Sequence, residues 1–317
     1  MNSIKKIIIL SVIIFNVSCA TGKNNNKEMS LTALIKAGKN VVFEDKAFNS
    51  DWDFTAELER VAETEGMDRV YVASAITFKK CTFKGKVVAM VNGASGGGVS
   101  SYFQKNVSFI NCIFEEEVNM RAATFLAVCS FQGSSFLKGA NFEECTFMND
   151  AYFNDTKYRE ETRFQNITAM KKSNWMKARF ESNVSFQGAT FYNDAQFSTA
   201  EFQKYADFTV SVFQNNCFFN YCKFGPQAIF NSSSFSHRVE MLSSSFQKIE
   251  MRTCLFVLPP KFYQNEITGT IDFSKSIFVS GLPDLSKMKR DVILAEDIKL
   301  GTEIISSAVF LTRVVTP

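Results

Sequence analysis

The cysteines of this chain have a spacing that invites a chemical interpretation. The 317 residues include eight cysteines and a single histidine, His237. One histidine excludes any site with two imidazole ligands, whereas several thiols could bind a metal ion or form disulfides. Seven of the eight share one context, because a Phe follows each of them two residues later. These seven are Cys81, Cys112, Cys129, Cys145, Cys217, Cys222 and Cys254.

Acidic groups and one glycine-rich run are the remaining candidates for chemistry. Adjacent carboxylates at residues 115–117, 143–144 and 160–161 could in principle hydrolyse glycosides. They lie among polar residues typical of turns, so we interpret them, and His237, as solvated surface. The run at 93–101 lacks the Gly-Lys-Ser/Thr ending of a phosphate loop and indicates an insertion, with a ligand loop as the alternative. We therefore predict no catalytic residue, metal, cofactor or small-molecule substrate.

The elements that position these residues follow from the spacing of the aromatic side chains. From Phe109 to Phe246, steps of alternately five and six residues reach 26 positions, which hold 21 Phe, one Tyr, one Trp, two Met and one Ala. The residue two before each is Ala, Cys, Ser, Thr or Val in 25 cases, Ile167 being the exception. A mean step of 5.5 is not a multiple of the helical period of about 3.6. Repetition at a fixed spacing indicates a solenoid.

Strand alternation explains the unit. In an extended segment a residue and the neighbour two positions before it point to the same side, so the aromatic and the small residue both face inward. Four units, about 22 residues, close a four-sided coil, and successive coils stack about 4.8 Å apart. The cysteines then fill small interior positions, where a free thiol packs like Ala. Cysteines on the same side lie four or five coils apart, so the spacing predicts no disulfide. These same-side pairs are Cys112 and Cys222, Cys129 and Cys217, and Cys145 and Cys254.

The unit resembles the pentapeptide-repeat family, whose repeat is a small residue, a polar residue, then Leu or Phe, then two more. Ala140-Asn141-Phe142, Ala189-Thr190-Phe191 and Ala195-Gln196-Phe197 carry the resemblance. It covers residues 40–279, with insertions expected at about 55–75 and 90–102. It implies an all-β, right-handed, four-sided parallel β-helix. We interpret the six-residue steps as an extra corner residue on two sides, and a single register slip follows Phe246.

The two ends have different patterns. Residues 30–39 have the Ser start and Gly end of a short helix that would cap the first coil. Residues 56–62 are helix-like within the first insertion. Residues 280–317 lose the repeat and are predicted to form a C-terminal cap with a loose tail.

The first residues predict export. Residues 1–6 carry two lysines, and the apolar run at 7–17 is too short for a stable membrane span. Residues 16–19, Asn-Val-Ser-Cys, resemble a bacterial lipoprotein signal. The resemblance implies removal of residues 1–18, diacylglycerol on Cys19, a polar tether at 19–29, and anchoring to a membrane of the bacterial cell envelope. An ordinary secretory signal and an uncleaved anchor are the alternatives.

One outward row on the fourth side is a candidate binding surface. Leu126, Met148, Met170 and Tyr192 follow aromatic positions at intervals of one coil, beside a row of threonines. Such a stripe could contact a protein partner or a second copy of the chain, because exposed apolar stripes often mark interfaces. Cover by the first insertion, or chance, would also explain it. The second side displays mixed charges instead.

Three classes of function remain. We favour a non-catalytic cell-envelope lipoprotein acting as a structural or protein-binding scaffold. A glycan- or polymer-binding module is the alternative. DNA mimicry of the topoisomerase-protecting kind, which occurs among pentapeptide-repeat proteins, would need an acidic wall and a cytoplasmic address. The formal net charge is +3, so we expect no nucleic-acid partner.

Overall fold

The chain winds through four sheets, each made of parallel strands from successive coils. The computed structural model describes residues 31–56, 58–62, 66–93, 97–285 and 288–315; the predicted signal peptide and the whole predicted tether, including Cys19, lie outside them. We call the sheets walls 1 to 4, in the order in which each coil visits them. This architecture confirms the fold class predicted from the sequence, an all-β, four-sided parallel β-helix.

Most strands contain only two residues, as expected for the short sides of a narrow coil. Wall 1 consists of Val41–Glu44, Ile76–Lys79, Val107–Ile110, Cys129–Ser130, Ala151–Tyr152, Ser173–Asn174, Ala195–Gln196, Cys217–Phe218 and Val239–Glu240. Wall 2 consists of Ala47–Phe48, Thr82–Phe83, Ile113–Phe114, Ser135–Phe136, Lys157–Tyr158, Arg179–Phe180, Glu201–Phe202, Lys223–Phe224, Ser245–Phe246 and Glu266–Ile267.

The other two walls continue further toward the C-terminus. Wall 3 consists of Trp52–Asp53, Val87–Val88, Val118–Asn119, Ala140–Asn141, Thr162–Arg163, Val184–Ser185, Ala206–Asp207, Ala228–Ile229, Ile249–Glu250, Ile271–Asp272 and Ile293–Leu294. The parallel strands of wall 4 are Met67–Val72, Gly98–Phe103, Thr124–Phe125, Thr146–Phe147, Thr168–Ala169, Thr190–Phe191, Val212–Phe213, Ser234–Phe235, Leu255–Phe256, Ile277–Phe278 and Ile298–Leu300. Three antiparallel strands border wall 4: Arg60–Val61, Met90–Asn92 and Glu303–Ile305.

The register between coils follows the predicted coil length. Thr124 pairs with Thr146 and Thr146 with Thr168, so these partners are one predicted coil length apart. After Phe246 the predicted slip shortens this offset, since Ala228 pairs with Ile249 and not with the residue after it. Most aromatic residues between Phe109 and Phe246 therefore lie directly over an aromatic residue of the previous coil on the same wall, except beside Met120, Ala169 and Met241.

The two step lengths make two kinds of corner. In a five-residue step such as Phe131 to Phe136, the Ser134 amide donates to the Phe131 carbonyl at 3.1 Å, and Gly133 has φ 68°, as in a type II turn. The six-residue steps form wider bends, which agrees with the extra residue expected there. A residue with a left-handed backbone conformation (positive φ) recurs at every second step from Asn111 to Ser243. These residues include the β-branched Thr199 and Val210. Since such residues disfavour this conformation, coil stacking imposes the turn.

Stacked rings form the core. Phe186 lies over Phe208 with centroids 5.0 Å apart and planes 1° apart. Rings on the opposite walls 1 and 3 meet edge to face, as Phe142 does with Phe153 at 5.1 Å and 80°. Such pairs contribute about 0.5–1.5 kcal/mol beyond the burial of their area.

Helix α1 (Leu31–Lys36) lies at the N-terminal end, where Ile35 is buried against the core. The segment predicted as the first insertion differs from expectation. Residues 56–62 are not helical where described, because Arg60–Val61 is a strand, and Met67–Val72 belongs to wall 4. In this segment, strand pairing along wall 4 overrides the local helix propensity of the sequence. The second insertion is a hairpin, whose strands Met90–Asn92 and Gly98–Phe103 also build wall 4.

The C-terminal segment is more ordered than the predicted loose tail. Strand Ile293–Leu294 pairs with Ile271–Asp272, so coiling continues past residue 279. Ala295 and Leu300 occupy the aromatic positions there, so the repeat cannot be recognised from its aromatic residues in this part of the sequence. A short 3-10 helix (Arg290–Val292) directly precedes strand Ile293–Leu294. Helix α2 (Ser307–Val314) follows the last strand, Glu303–Ile305, and buries its side chains Phe310 and Val314 in the core. Among the residues that the structure describes, no helix is long and apolar enough to cross a membrane.

Candidate functional site

The outer face of wall 4 carries two uncharged columns. The first column consists of the outward residues of the strands, and no charged side chain occurs in it over ten successive strands. It runs through Tyr71, Tyr102, Thr124, Thr146, Thr168, Thr190, Val212, Ser234, Leu255 and Ile277. Tyr71 and Leu255 are exposed, and the threonines are half-buried. Because alternation points these side chains away from the rings, the core does not require them to be apolar.

The second column contains the row predicted from the sequence. Leu126, Met148 and Tyr192 are exposed by 37%, 41% and 49%, and Met170 is half-buried. Their amide groups each donate to the wall 4 carbonyl of the preceding coil, as Met148 does to Phe125 at 2.9 Å. The described parts of the first insertion extend wall 4 at its N-terminal edge and leave this row uncovered. The row is therefore available on the surface of the described chain.

Wall 2, on the opposite side of the coil, has charged side chains at the equivalent positions. Nη1 of Arg179 lies 3.2 Å from Oε2 of Glu201, and Nζ of Lys223 lies 2.9 Å from Oε1 of the same carboxylate. Nζ of Lys157 lies 3.2 Å from Oε1 of Glu181. Lys157 and Arg179 in adjacent coils carry the same sign, but each lies beside a carboxylate of a neighbouring coil, so the charges of this wall are paired within the wall.

A pair of tyrosines at the N-terminal end of wall 4 was missed in the sequence. The rings of Tyr71 and Tyr102 are 5.1 Å apart, and the guanidinium of Arg69 lies 5.5 Å from the centre of the Tyr102 ring. The two tyrosines are further apart in the sequence than one regular coil, because the hairpin of the second insertion lies between them. A search at a constant coil length therefore separates them.

The seven cysteines in the described residues are buried free thiols at the inward position. At the inward position that follows a five-residue corner, thiols and hydroxyls make the same hydrogen bond, to a backbone carbonyl of the preceding coil. Sγ of Cys145 donates to the carbonyl of Met120 at 2.9 Å, and Oγ of Ser134 donates to that of Phe109 at 2.9 Å. Burial raises the pKa of Cys222 and of Cys254 to about 12, so both thiols stay protonated at neutral pH.

One part of the cysteine prediction is wrong. Thr82 pairs with Ile113 and Phe83 with Phe114, which places Cys81 and Cys112 on the same wall in adjacent coils. The amide of Ile113 donates to the carbonyl of Cys81 at 2.9 Å. The rule that stacked cysteines differ by one constant coil length missed this pair, because the inserted hairpin lengthens the intervening coil.

The acidic groups and His237 lie on the surface. Arg121 lies 3.3 Å from Glu144, Lys138 lies 3.1 Å from Glu160, and Nδ1 of His237 is 2.9 Å from the carbonyl oxygen of Gln214. Within the part of the chain that the structure describes, no three His, Cys, Asp or Glu side chains are grouped to hold a metal ion.

The comparisons with known proteins concern the repeat alone. Residues 100–146 match the family described as pentapeptide repeats, with nine copies. No curated protein and no solved structure matches the chain. The matched residues include parts of three strands of wall 4 and the first member of the exposed row, Leu126.

Proposed function

We propose that this protein is a non-catalytic lipoprotein of the bacterial cell envelope, whose β-helix is a scaffold that binds a protein partner through wall 4. The observation that carries the proposal is the pair of uncharged columns on that wall, with Leu126, Met148 and Tyr192 exposed. A contiguous apolar surface on a water-facing wall favours a protein contact.

The chemistry of the wall supports a protein as the occupant. Flat strands spaced about 4.8 Å apart present a regular surface on which an apolar face of another protein can pack. A nucleic acid would need rows of basic side chains to contact its phosphates. The columns from Tyr71 to Ile277 and from Leu126 to Val279 hold no such residue.

The proposed address rests on the N-terminal sequence. Cleavage before Cys19 would leave the thiol to carry diacylglycerol, and two or three acyl chains would hold the protein at a membrane where one would be marginal. Residues 19–29 would then separate the β-helix from the bilayer. Cys19→Ala is expected to abolish labelling by radioactive palmitate and to release the protein or leave it unprocessed. Continued labelling would contradict the lipid anchor without affecting the wall 4 proposal.

The binding surface is tested by adding charge to it. The double variant Met148→Lys with Met170→Lys should fold as the unaltered chain does and lose the protein that co-purifies with it from envelopes. Leu137→Lys is the matched control, because Leu137 follows the wall 2 ring of the coil in which Met148 follows the wall 4 ring. The proposal requires the control to keep the partner. Equal capture by both variants would contradict it, and loss of self-association alone would identify the partner as a second copy.

A glycan or polymer ligand is the second candidate, favoured by the Tyr71 and Tyr102 pair. Two tilted rings beside the guanidinium of Arg69 could stack on a sugar ring and hydrogen-bond its hydroxyls. Binding to a glycan array that Tyr71→Ala abolishes and Met148→Lys leaves intact would favour this candidate. An array without signal would leave the protein partner as the function of the wall.

A further inference from the structure

We propose that Cys81 and Cys112 are a disulfide site that covalently joins two adjacent coils of the β-helix. The inference does not depend on the proposed function, because it concerns the interior of the coil. The pair is the single case among the seven described cysteines in which one thiol lies directly above another in adjacent coils.

The register places the two residues within bridging distance. Both precede paired strands, Thr82–Phe83 and Ile113–Phe114, and both side chains point inward. Neighbouring parallel strands lie about 4.8 Å apart, within the roughly 4.4–6.8 Å that disulfides require between Cα atoms. The remaining cysteines have other residues in the adjacent coils: Cys145, for example, lies between Ala123 and Ile167.

The contacts of the two sulfur atoms agree with a pair that shares one site. Sγ of Cys81 lies 3.4 Å from the carbonyl oxygen of Lys79, and Sγ of Cys112 lies 3.6 Å from that of Phe78. The hydrogen bond from Cys112 holds the pKa of the Cys81 thiol below its ordinary value, and the same interaction raises the pKa of Cys112. The two thiols therefore interact directly in the folded chain.

The reaction is thiol–disulfide exchange with a small disulfide as the oxidant. One of the two cysteines attacks, as its thiolate, one sulfur of the oxidant, which forms a mixed disulfide and releases one thiolate. The other cysteine then attacks the sulfur of the first, and its proton passes to the second thiol released. The two cysteines are oxidised and the oxidant is reduced to two thiols. Both residues are 1% exposed, so the exchange occurs before the coils close.

The bond would enclose the hairpin of the second insertion. The segment between Cys81 and Cys112 contains Met90–Asn92 and Gly98–Phe103, which form the N-terminal part of wall 4. This coil is also longer than the regular coil, as is the coil before it. A covalent link there compensates for the long connection, because closing a longer loop removes more disorder from the unfolded chain.

The experiment is oxidative refolding of the full chain, followed by peptide mapping. The chain is unfolded under reducing conditions and refolded with oxidised glutathione. Free thiols are then alkylated in denaturant, and the peptides are analysed by mass spectrometry. We expect a linked pair of peptides containing Cys81 and Cys112, which reduction separates, while the Cys145 and Cys222 peptides are alkylated.

Serine variants keep the test independent of folding. Cys112→Ser retains a hydroxyl at a position where Ser134 has one in the next coil, and it should leave Cys81 fully alkylated. Cys145→Ser is the matched control and should retain the linked peptides. The proposal is overturned if Cys81 and Cys112 are both alkylated after refolding with native circular dichroism. It is also overturned if either cysteine is linked mainly to another one.

Discussion

Walls 2 and 4 have equivalent interiors and different outer faces. Inside, both are columns of stacked rings: Phe114 lies 4.8 Å from Phe136 on wall 2, and Phe125 lies 5.3 Å from Phe147 on wall 4. Outside, wall 2 has paired charges, whereas wall 4 has threonines and an exposed apolar row. Wall 2 demonstrates that the coil accepts charged residues at these positions. Folding therefore does not require the apolar surface of wall 4, and this difference is the ground for our proposal that wall 4 binds a partner.

Because the interiors of walls 2 and 4 are equivalent, removing one ring should lower the free energy of unfolding by the same amount on either wall. We expect Phe136→Ala on wall 2 and Phe147→Ala on wall 4 each to lower the free energy of unfolding by about 3–5 kcal/mol, since each opens a cavity in a continuous stack. Denaturant unfolding followed by circular dichroism measures both. A much smaller loss for Phe147 would mean that wall 4 is not packed as its counterpart is.

Wall 4 has one interior exception, Ala169, and its neighbour explains it. In three other coils the wall 4 ring contacts the next wall 1 ring along the chain, as Phe191 contacts Phe197 at 6.1 Å. After Ala169 that position holds Trp175, whose larger ring also lies 5.9 Å from Phe191. Ala169→Phe should therefore destabilise the protein by about 1–3 kcal/mol through overpacking. Adding Trp175→Phe should restore most of the loss, and strictly additive effects in unfolding experiments would argue against this compensation.

The charges of wall 2 should contribute less to the free energy of unfolding than the core rings do, and they should contribute only above acidic pH. Burial opposes ionisation of Glu181, but the hydrogen bond from Lys157 and the positive charges of Lys157, Arg179 and Arg159 together outweigh it and hold its pKa below the ordinary value. The carboxylate therefore stabilises the fold above the unfolded pKa of about 4.3, and the contribution is lost as pH falls through the folded pKa. Glu181→Gln should cost under about 1 kcal/mol at pH 7 and nothing at pH 2. An equal cost at both pH values in urea titrations would refute the electrostatic explanation.

The smallest effect on stability should come from wall 4 itself. Met148→Lys should change the free energy of unfolding by under about 0.5 kcal/mol, because the side chain is exposed. Urea titration of this variant beside Leu137→Lys checks the expectation. Unfolding of the Met148 variant alone would show that another part of the chain covers the row.

Constant coil length decides how far the sequence predicts the structure. Between residues 107 and 246 the spacing predicts the stacking of Thr124 on Thr146 and the slip after Phe246. It fails where the hairpin lengthens a coil, so that Cys81 aligns with Cys112 and Tyr71 with Tyr102. It also fails after residue 279, where Ala295 and Leu300 replace the aromatic marker. Alternation identifies which residues face outward, but binding to a partner imposes no regular spacing that could be recognised in the sequence.

Labelling of wall 4 in cells tests the central claim most directly. Met148→Cys and Leu137→Cys each place one new thiol after the ring of the same coil, on opposite walls. The labelling rate of each with a membrane-impermeant maleimide is compared between the purified protein and intact envelopes, with the unaltered chain as the blank. Coverage of wall 4 by a partner predicts that envelopes protect position 148 strongly and leave position 137 at its purified rate. Equal changes at the two positions would contradict a binding role for wall 4.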